Sequence, residues 1–129
     1  MTKENCQNTI NKVYSKIKNH YGLSKFHTEF PKVKIHHNIY ARITGIEGME
    51  GECDPDADFE RETNTIWIYY PKAINEQWIT ETILHEYTHY LQDGKEFQRL
   101  YDEEGYEYIN HPFELEAIAA EKNWKLFLK

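Results

Sequence analysis

The sequence predicts a single α+β domain in which helices pack on a small, mixed sheet. Residues 3–21, 75–94 and 111–128 carry apolar side chains at helical spacing. Residues 65–70, Thr-Ile-Trp-Ile-Tyr-Tyr, have instead the β-branched and aromatic composition of a strand. The length of 129 residues suits one domain spanning the whole chain, and no internal repeat divides it.

The N-terminal half is predicted to contain one helix, two strands and a long loop. The helix covers residues 3–21 and ends at Gly22, a residue that favours helix termination. The two strands are predicted at residues 32–39 and 40–46, each bounded by proline or glycine. Residues 47–63 are acidic and rich in glycine, which is typical of a surface loop.

The C-terminal half is predicted to contain two longer helices. Asn75 is a favourable N-cap for the first of them, and Gly94 is expected to end it in the position just after the last turn. Residues 95–110 show little periodicity and are predicted to form a loop or a short helix. The last helix begins near Pro112, a residue favoured in a first turn, and extends to about Leu128.

Composition excludes several classes of protein. The net charge of −7 and the pI near 5.5 disfavour binding to nucleic acid, which needs a basic surface. No run of 18 apolar residues predicts a membrane span, and the polar N-terminus has no signal-peptide core. Two cysteines do not make a disulfide framework. We therefore expect a cytoplasmic protein, of an oligomeric state that the sequence does not define.

One five-residue motif says most about function. Residues 85–89 read His-Glu-Tyr-Thr-His, the pattern H-E-x-x-H, and they lie on a predicted helix that follows a strand. Residues four apart on a helix share one face, so the two imidazoles of His85 and His89 can bind one metal ion. The carboxylate of Glu86 can then reach a water molecule on that metal. Two nitrogen ligands and a general base are the minimum that metal-assisted hydrolysis requires.

A catalytic zinc site usually has a third protein ligand. The extended metzincin motif is absent, because its glycine and histidine positions hold Gln92 and Lys95. The strand, the H-E-x-x-H helix and the later segment 110–121 together resemble the gluzincin-type metallopeptidases. In several of those families the ligand glutamate follows a proline and precedes an alanine by three residues, a pattern that Glu114 matches. Glu116, which directly precedes an alanine, matches a second variant.

These two glutamates point about 200° apart on a helix, so only one of them can face the metal, and Glu114 is the preferred ligand. Many gluzincins also place an acidic residue four positions after the ligand glutamate, where this chain has Ile118. Glu121, two turns after Glu114, is expected to take over its role of orienting His85. The resemblance further implies a tyrosine that stabilises the oxyanion, for which Tyr106 and Tyr108 are the candidates.

Other interpretations of these residues remain open at this point. The two histidines of the motif can lie on a solvated helix face, and Glu114 can be an ordinary first-turn carboxylate. His111 is an alternative third ligand, as is Cys53, which lies upstream of the motif as in peptide deformylases. The three aspartates 54, 56 and 58 suggest a Ca²⁺ loop, but the glycine of the EF-hand pattern is missing and the flanks are not helical.

The resemblance implies a zincin-like fold and a zinc-dependent hydrolase that cleaves a peptide or protein substrate. Zn²⁺ would be held by His85, His89 and Glu114, and Glu86 would act as the general base. Residues 65–70 are expected to form an edge strand beside the cleft, where a peptide adds by β-augmentation. The alternatives are a zinc-binding but inactive regulator or scaffold with the same fold, and an interaction protein without metal.

Overall fold

The computed structural model describes residues 1–47, 49, 51 and 55–128. In that part of the chain the predicted α+β class is confirmed, with five α-helices and one three-stranded sheet. None of the described helices has both the length and the apolar character of a membrane span. The elements, in chain order, are α1 (Lys3–Tyr21), β1 (Lys32–His36), α2 (Ile39–Thr44), β2 (Ala57–Glu60), β3 (Thr65–Tyr69), α3 (Glu76–Leu91), α4 (Gly94–Asp102) and α5 (Pro112–Ala120).

Helix α1 has the bounds that the sequence predicts. The Thr2 hydroxyl accepts a hydrogen bond from the Asn5 backbone N–H at 3.1 Å and caps the first turn. At the other end Gly22 adopts a positive φ of 76° and donates its N–H to the carbonyl of Lys18, which closes the last turn. The apolar face of α1 is buried against α3 and the sheet.

The prediction of a strand at residues 40–46 is wrong, because this segment forms α2. The Asn38 side chain accepts a hydrogen bond from the Ala41 N–H at 2.7 Å, and Gly45 ends the helix in the left-handed conformation. These local caps outweigh the strand preference of the β-branched residues in the segment. The preceding strand is correspondingly shorter than predicted and ends at His36.

The sheet has the order β1-β3-β2, with β1 parallel and β2 antiparallel to β3. The strand predicted at residues 65–70 is confirmed over Thr65–Tyr69, but it is central, so its prediction as an edge strand is wrong. Four of its five residues are buried, as expected of a strand with neighbours on both sides. The two edge strands are β1 and β2. Strand β2 lies inside the segment predicted as a loop and pairs with β3 from Ala57↔Ile68 to Glu60↔Thr65.

Helix α3 packs across the sheet and forms the centre of the molecule. Its fully buried residues, such as Ile83 and Tyr87, contact the core formed by α1 and β3. The helix ends at Leu91, so the prediction that Gly94 terminates it is wrong. Asp93 instead accepts hydrogen bonds from the N–H groups of Lys95 and Glu96 and caps a new helix, α4, which begins at Gly94.

The last predicted helix begins at Pro112, as expected, but its regular α-helical part ends at Ala120. A 3₁₀ segment, Glu121–Leu126, continues it. Ala117 is fully buried against α3, and the small side chain lets the two helices approach closely. Helices α3 and α5 therefore face each other over the length that carries the motif and Glu114.

Candidate metal centre

The motif lies in the C-terminal half of α3, where one side of the helix is in the core and the other faces a cleft. Tyr87 points into the core, which turns Glu86 and His89 towards α5. Glu114 comes from the first turn of α5 and is only 5% exposed. The packing of α5 on α3 thus brings a carboxylate from a distant part of the sequence onto the two histidines.

The side chains of His85, His89 and Glu114, here called the ligand cluster, converge on one point. Glu114 Oε1 lies 3.1 Å from Nε2 of His89, and Glu114 Oε2 lies 3.2 Å from Nε2 of His85. One ligand atom from each residue lies within 4.8 Å of the others. Two imidazole nitrogens and one carboxylate oxygen are the donor set of a catalytic zinc site with one open position.

One atom of the ligand cluster is buried without a hydrogen bond. Glu114 Oε2 has an ion-pair contact with Nε2 of His85 at 3.2 Å, but it accepts no hydrogen bond from a described residue. An unsatisfied buried carboxylate oxygen is costly unless a ligand satisfies it. Although burial acts to raise the pKa of Glu114, His85 and His89 lower it to about 2, so this carboxylate is ionised and available to a cation.

Each histidine is held by its other nitrogen. His85 Nδ1 lies 2.9 Å from Oε2 of Glu121, the residue that the sequence predicts for this orienting role. His89 Nδ1 lies 2.8 Å from Oε1 of Gln92, whose amide nitrogen donates to the Phe113 carbonyl. Both contacts leave Nε2 directed at Glu114. Orienting partners of this kind are typical of histidines that bind metal.

No role is predicted for Gln92 from the sequence, in which it only occupies the position of the metzincin glycine. The signal that identifies it is the spacing of three residues after His89 at the end of α3, since residues three apart on a helix are neighbours. Burial opposes protonation of His85, but Glu114, Glu86 and Glu121 raise its pKa to about 9. The three carboxylates around His85 therefore favour positive charge at this position.

Glu86 is almost fully buried beside the ligand cluster and lines the cleft. Burial raises its pKa to about 7, against the opposing effect of His89 and His85. The cleft holds a cavity of about 300 Å³, bounded by α3 and α5 on one side and by β2 on the other. That volume is at the lower end for ligand pockets, and it admits side chains or a short extended segment more readily than a large cofactor.

Of the two candidate tyrosines, the structure brings Tyr108 to the cavity and leaves Tyr106 outside its wall. Tyr108 is 67% exposed, but burial together with Glu114 and Glu86 raises its pKa to about 12. A phenol that keeps its proton is a hydrogen-bond donor. The ring of Tyr106 packs instead on His111, with the ring centres 6.2 Å apart.

The alternative ligands lie elsewhere. Glu116 is exposed and contacts Gln92 Nε2 at 3.4 Å, outside the ligand cluster. His111 is fully buried at the start of α5, where Nδ1 accepts from the Phe113 N–H and Nε2 lies 2.9 Å from the Phe97 carbonyl. Both nitrogens of His111 are thus used within the fold. Cys53 lies outside the described residues.

The described aspartates of the acidic loop do not converge on one point as a calcium site requires. Asp54 is outside them, and Asp56 lies 3.7 Å from Nζ of Lys72. Asp58 accepts hydrogen bonds from Tyr69 and Arg42. Both carboxylates thus already have a cation or a hydrogen-bond donor of the chain itself as a partner.

The described residues therefore provide three donor groups that could hold one metal ion, a buried carboxylate next to them and a phenol on the cavity wall. The orienting contacts to Glu121 and Gln92 complete the environment of both histidines. Comparison of the chain with known protein families, with curated protein sequences and with solved structures finds no match.

Proposed function

We propose that this protein is a zinc-dependent metallopeptidase with a zincin-like fold. The observation that carries the proposal is the convergence of His85, His89 and Glu114 on one point, with Glu86 buried beside them in the same cavity. A solvated helix face would not bury a carboxylate between two histidines and tie each ring at Nδ1. The donor set also matches the preference of zinc for nitrogen and oxygen ligands in a site with one open position.

When bound, zinc supplies a positive charge that activates a water molecule and polarises the carbonyl of the scissile bond. The residues of the chain perform the remaining tasks. Glu86 accepts the proton of the attacking water and passes it to the amine that leaves, as a general base and then a general acid. The Tyr108 hydroxyl donates a hydrogen bond to the oxyanion that forms on the substrate carbonyl.

The shape of the cleft supports an extended peptide as the substrate. Residues of β2 line the cavity, and β2 has no second strand partner among the described residues. An extended peptide can pair with this free edge and present one peptide bond to the ligand cluster. The β-augmentation expected at residues 65–70 is therefore proposed for β2.

The first experiment measures zinc and cleavage in the same samples. Wild-type protein, Glu86→Gln and a matched control, Glu81→Gln on the same helix but outside the cavity, are loaded with zinc and dialysed. We expect about one zinc per chain in all three. A random peptide library is then incubated with each protein, and new termini are identified by mass spectrometry.

Wild type and Glu81→Gln are expected to cleave, and Glu86→Gln to lose about 10²- to 10⁴-fold in rate, the range of general base catalysis. Cleavage retained in Glu86→Gln would refute the mechanism. Zinc binding without cleavage by the wild type would favour the inactive scaffold. Absence of zinc from the wild type after reloading would reject the metal centre itself.

A further inference from the structure

Arg61 is a cation on the cavity wall that the proposed chemistry does not use. It follows β2 directly, in the turn that leads to β3. Its guanidinium lies over two aromatic rings, 5.3 Å from the centre of Phe59 and 5.6 Å from the centre of Phe97. One guanidinium nitrogen, Nη1, donates to the Gln92 carbonyl at 3.3 Å. The planar group is thus held in a fixed orientation on the same wall as the edge strand.

The charge of Arg61 forms no ion pair with the residues that the structure describes. Within the described part of the chain no carboxylate lies within 4 Å of its guanidinium, whereas Arg42 and Arg99 each form ion pairs with two or more carboxylates. Burial lowers the pKa of Arg61, and the more distant Asp93 and Glu62 only partly oppose that effect. An arginine remains charged in such a site, so it retains an unused capacity to bind an anion.

The surroundings of Arg61 leave space for a ligand on two sides. Arg61 lines the cavity that contains the ligand cluster, and it also lines a neighbouring cavity of about 520 Å³ with Phe26, Lys95 and Gly94. A Cβ atom at Gly94 would approach Cδ of Arg61 to 2.9 Å. The absence of a side chain at position 94 therefore permits the observed position of the guanidinium.

We infer that Arg61 is a specificity-determining residue that binds a carboxylate of the peptide substrate next to the cleaved bond. This inference rests on the proposed peptidase function. The carboxylate can belong to an aspartate or glutamate side chain or to the C-terminus of the peptide, and both present the two oxygens that a guanidinium binds in parallel. The rest of the cavity lining is acidic, with Glu86 and Glu114 on the helical wall and Asp58 on β2, so an anionic group is favoured only at the Arg61 end.

The test uses zinc-loaded protein and two sets of random decapeptides, one with free and one with amidated C-termini. Cleaved sequences are read by mass spectrometry for wild type, Arg61→Gln, Arg61→Lys, Gly94→Ala and the control Arg99→Gln. Arg99 lies on α4 and pairs with surface glutamates, outside both cavities. Zinc content is measured for every variant, because Arg61 contacts the backbone of Gln92.

We expect wild type and Arg99→Gln to favour peptides with a carboxylate at one fixed distance from the cleaved bond, by about tenfold over the amide equivalents. Arg61→Gln is expected to lose this preference with its zinc retained. Arg61→Lys keeps the charge but loses the planar guanidinium, and Gly94→Ala displaces the guanidinium. Each variant should therefore retain only part of the preference for carboxylate-bearing peptides. Dependence on a free C-terminus alone would assign the bound group to the terminal carboxylate.

A binding measurement separates failure of this inference from failure of the peptidase proposal. The same peptides are retained on immobilised, zinc-loaded Glu86→Gln, with and without Arg61→Gln. Enrichment of acidic peptides that depends on Arg61 supports the inference even if the wild type cleaves nothing. The inference is overturned if neither cleavage nor retention prefers carboxylates, or if the preference persists in Arg61→Gln. If Arg61→Gln loses its zinc, the carboxylate preference of Gly94→Ala is compared with that of the wild type instead. A reduced preference in Gly94→Ala supports the inference, and an unchanged preference overturns it.

Discussion

Two polar clusters lie in different parts of the fold, one between α2 and the sheet and the other between α3 and α5, and they differ in whether their hydrogen bonds are complete. In the first, the arginine cluster, Arg42 bonds to Glu60 at 2.7 Å, to Asp58 at 3.3 Å and to the Tyr69 hydroxyl at 3.2 Å. Tyr69 in turn donates to Asp58. Every member has a partner inside the cluster, and Glu60 also accepts a hydrogen bond from Thr63, so the group joins α2 to β2 and β3 with its hydrogen bonds made within the chain.

The ligand cluster has the same kinds of group but is incomplete. Its histidines direct Nε2 inward at one carboxylate, and one oxygen of that carboxylate has no hydrogen bond among the described residues. Closed networks of buried polar groups hold a fold together, whereas open ones need a ligand. The comparison indicates that burial and charge alone do not single out a candidate site, and that a convergent set of donor atoms with an unsatisfied oxygen does.

The largest expected effect separates the clusters by their response to zinc. A ligand at about 1,000 times its dissociation constant raises the free energy of unfolding by about 4 kcal/mol if only the folded state binds it. We expect excess zinc to raise the free energy of unfolding of the wild type by about this amount and to leave that of Glu114→Ala nearly unchanged. Denaturant unfolding with zinc and with a chelator measures the difference. Glu116→Ala is the matched control and should respond as the wild type does; loss of the zinc response there would instead identify Glu116 as the ligand.

The second prediction compares Tyr108, which lines the cavity, with Tyr69, which belongs to the arginine cluster. Tyr108→Phe removes a hydroxyl that faces the cavity and should lower kcat/KM by about 100-fold, the lower part of the range for an oxyanion donor, with little change in stability. Tyr69→Phe removes a buried hydroxyl from the arginine cluster and should cost about 1–2 kcal/mol of stability with zinc binding intact. Thermal unfolding and kinetics on one cleaved peptide check both. If neither variant lowers kcat/KM, the metal alone stabilises the oxyanion.

Breaking the arginine cluster at its centre should affect stability without affecting zinc. Arg42→Met leaves Asp58 and Glu60 without their cation, and both side chains are 27% exposed, so water compensates in part. We expect a loss of about 2 kcal/mol, below that of a fully buried pair. Zinc content should stay at that of the wild type. A loss of zinc in this variant would mean that the two clusters are coupled through Asp58 and the cavity.

The sequence predicts the ligand cluster better than it predicts the strands around it. The spacing of His85 and His89 and the proline before Glu114 are local signals on helices, and helical geometry fixes which side chains share a face. Even the orienting role of Glu121 follows from its position two turns after Glu114. What packs opposite that face depends on contacts between distant parts of the chain.

Of three errors of prediction about the strands, the first is local and the other two share that physical cause. Residues 40–46 have strand-like composition but are capped as a helix by Asn38 and Gly45. Strand β2 has only four residues within an acidic segment, and its pairing with β3 defines it more than its own composition does. Because β2 was not predicted, β3 was expected at the edge of the sheet. The cavity wall that carries Arg61 was therefore not visible in the sequence.

The smallest expected effect concerns the contact that orients His85. Glu121→Gln keeps an oxygen 2.9 Å or so from Nδ1 but removes its charge, which lowers the basicity of the imidazole. We expect zinc affinity to fall by about tenfold in Glu121→Gln and by closer to 100-fold in Glu121→Ala, the range measured for such partners. Competition with a chelating dye gives both values. If neither variant weakens zinc, Glu121 is an ordinary surface carboxylate, and the ligand cluster binds metal without support from the 3₁₀ segment. A graded loss would instead show that Glu121, from the 3₁₀ segment, holds His85 in the orientation that binds zinc. In the arginine cluster the corresponding support comes from the side chains of the cluster itself.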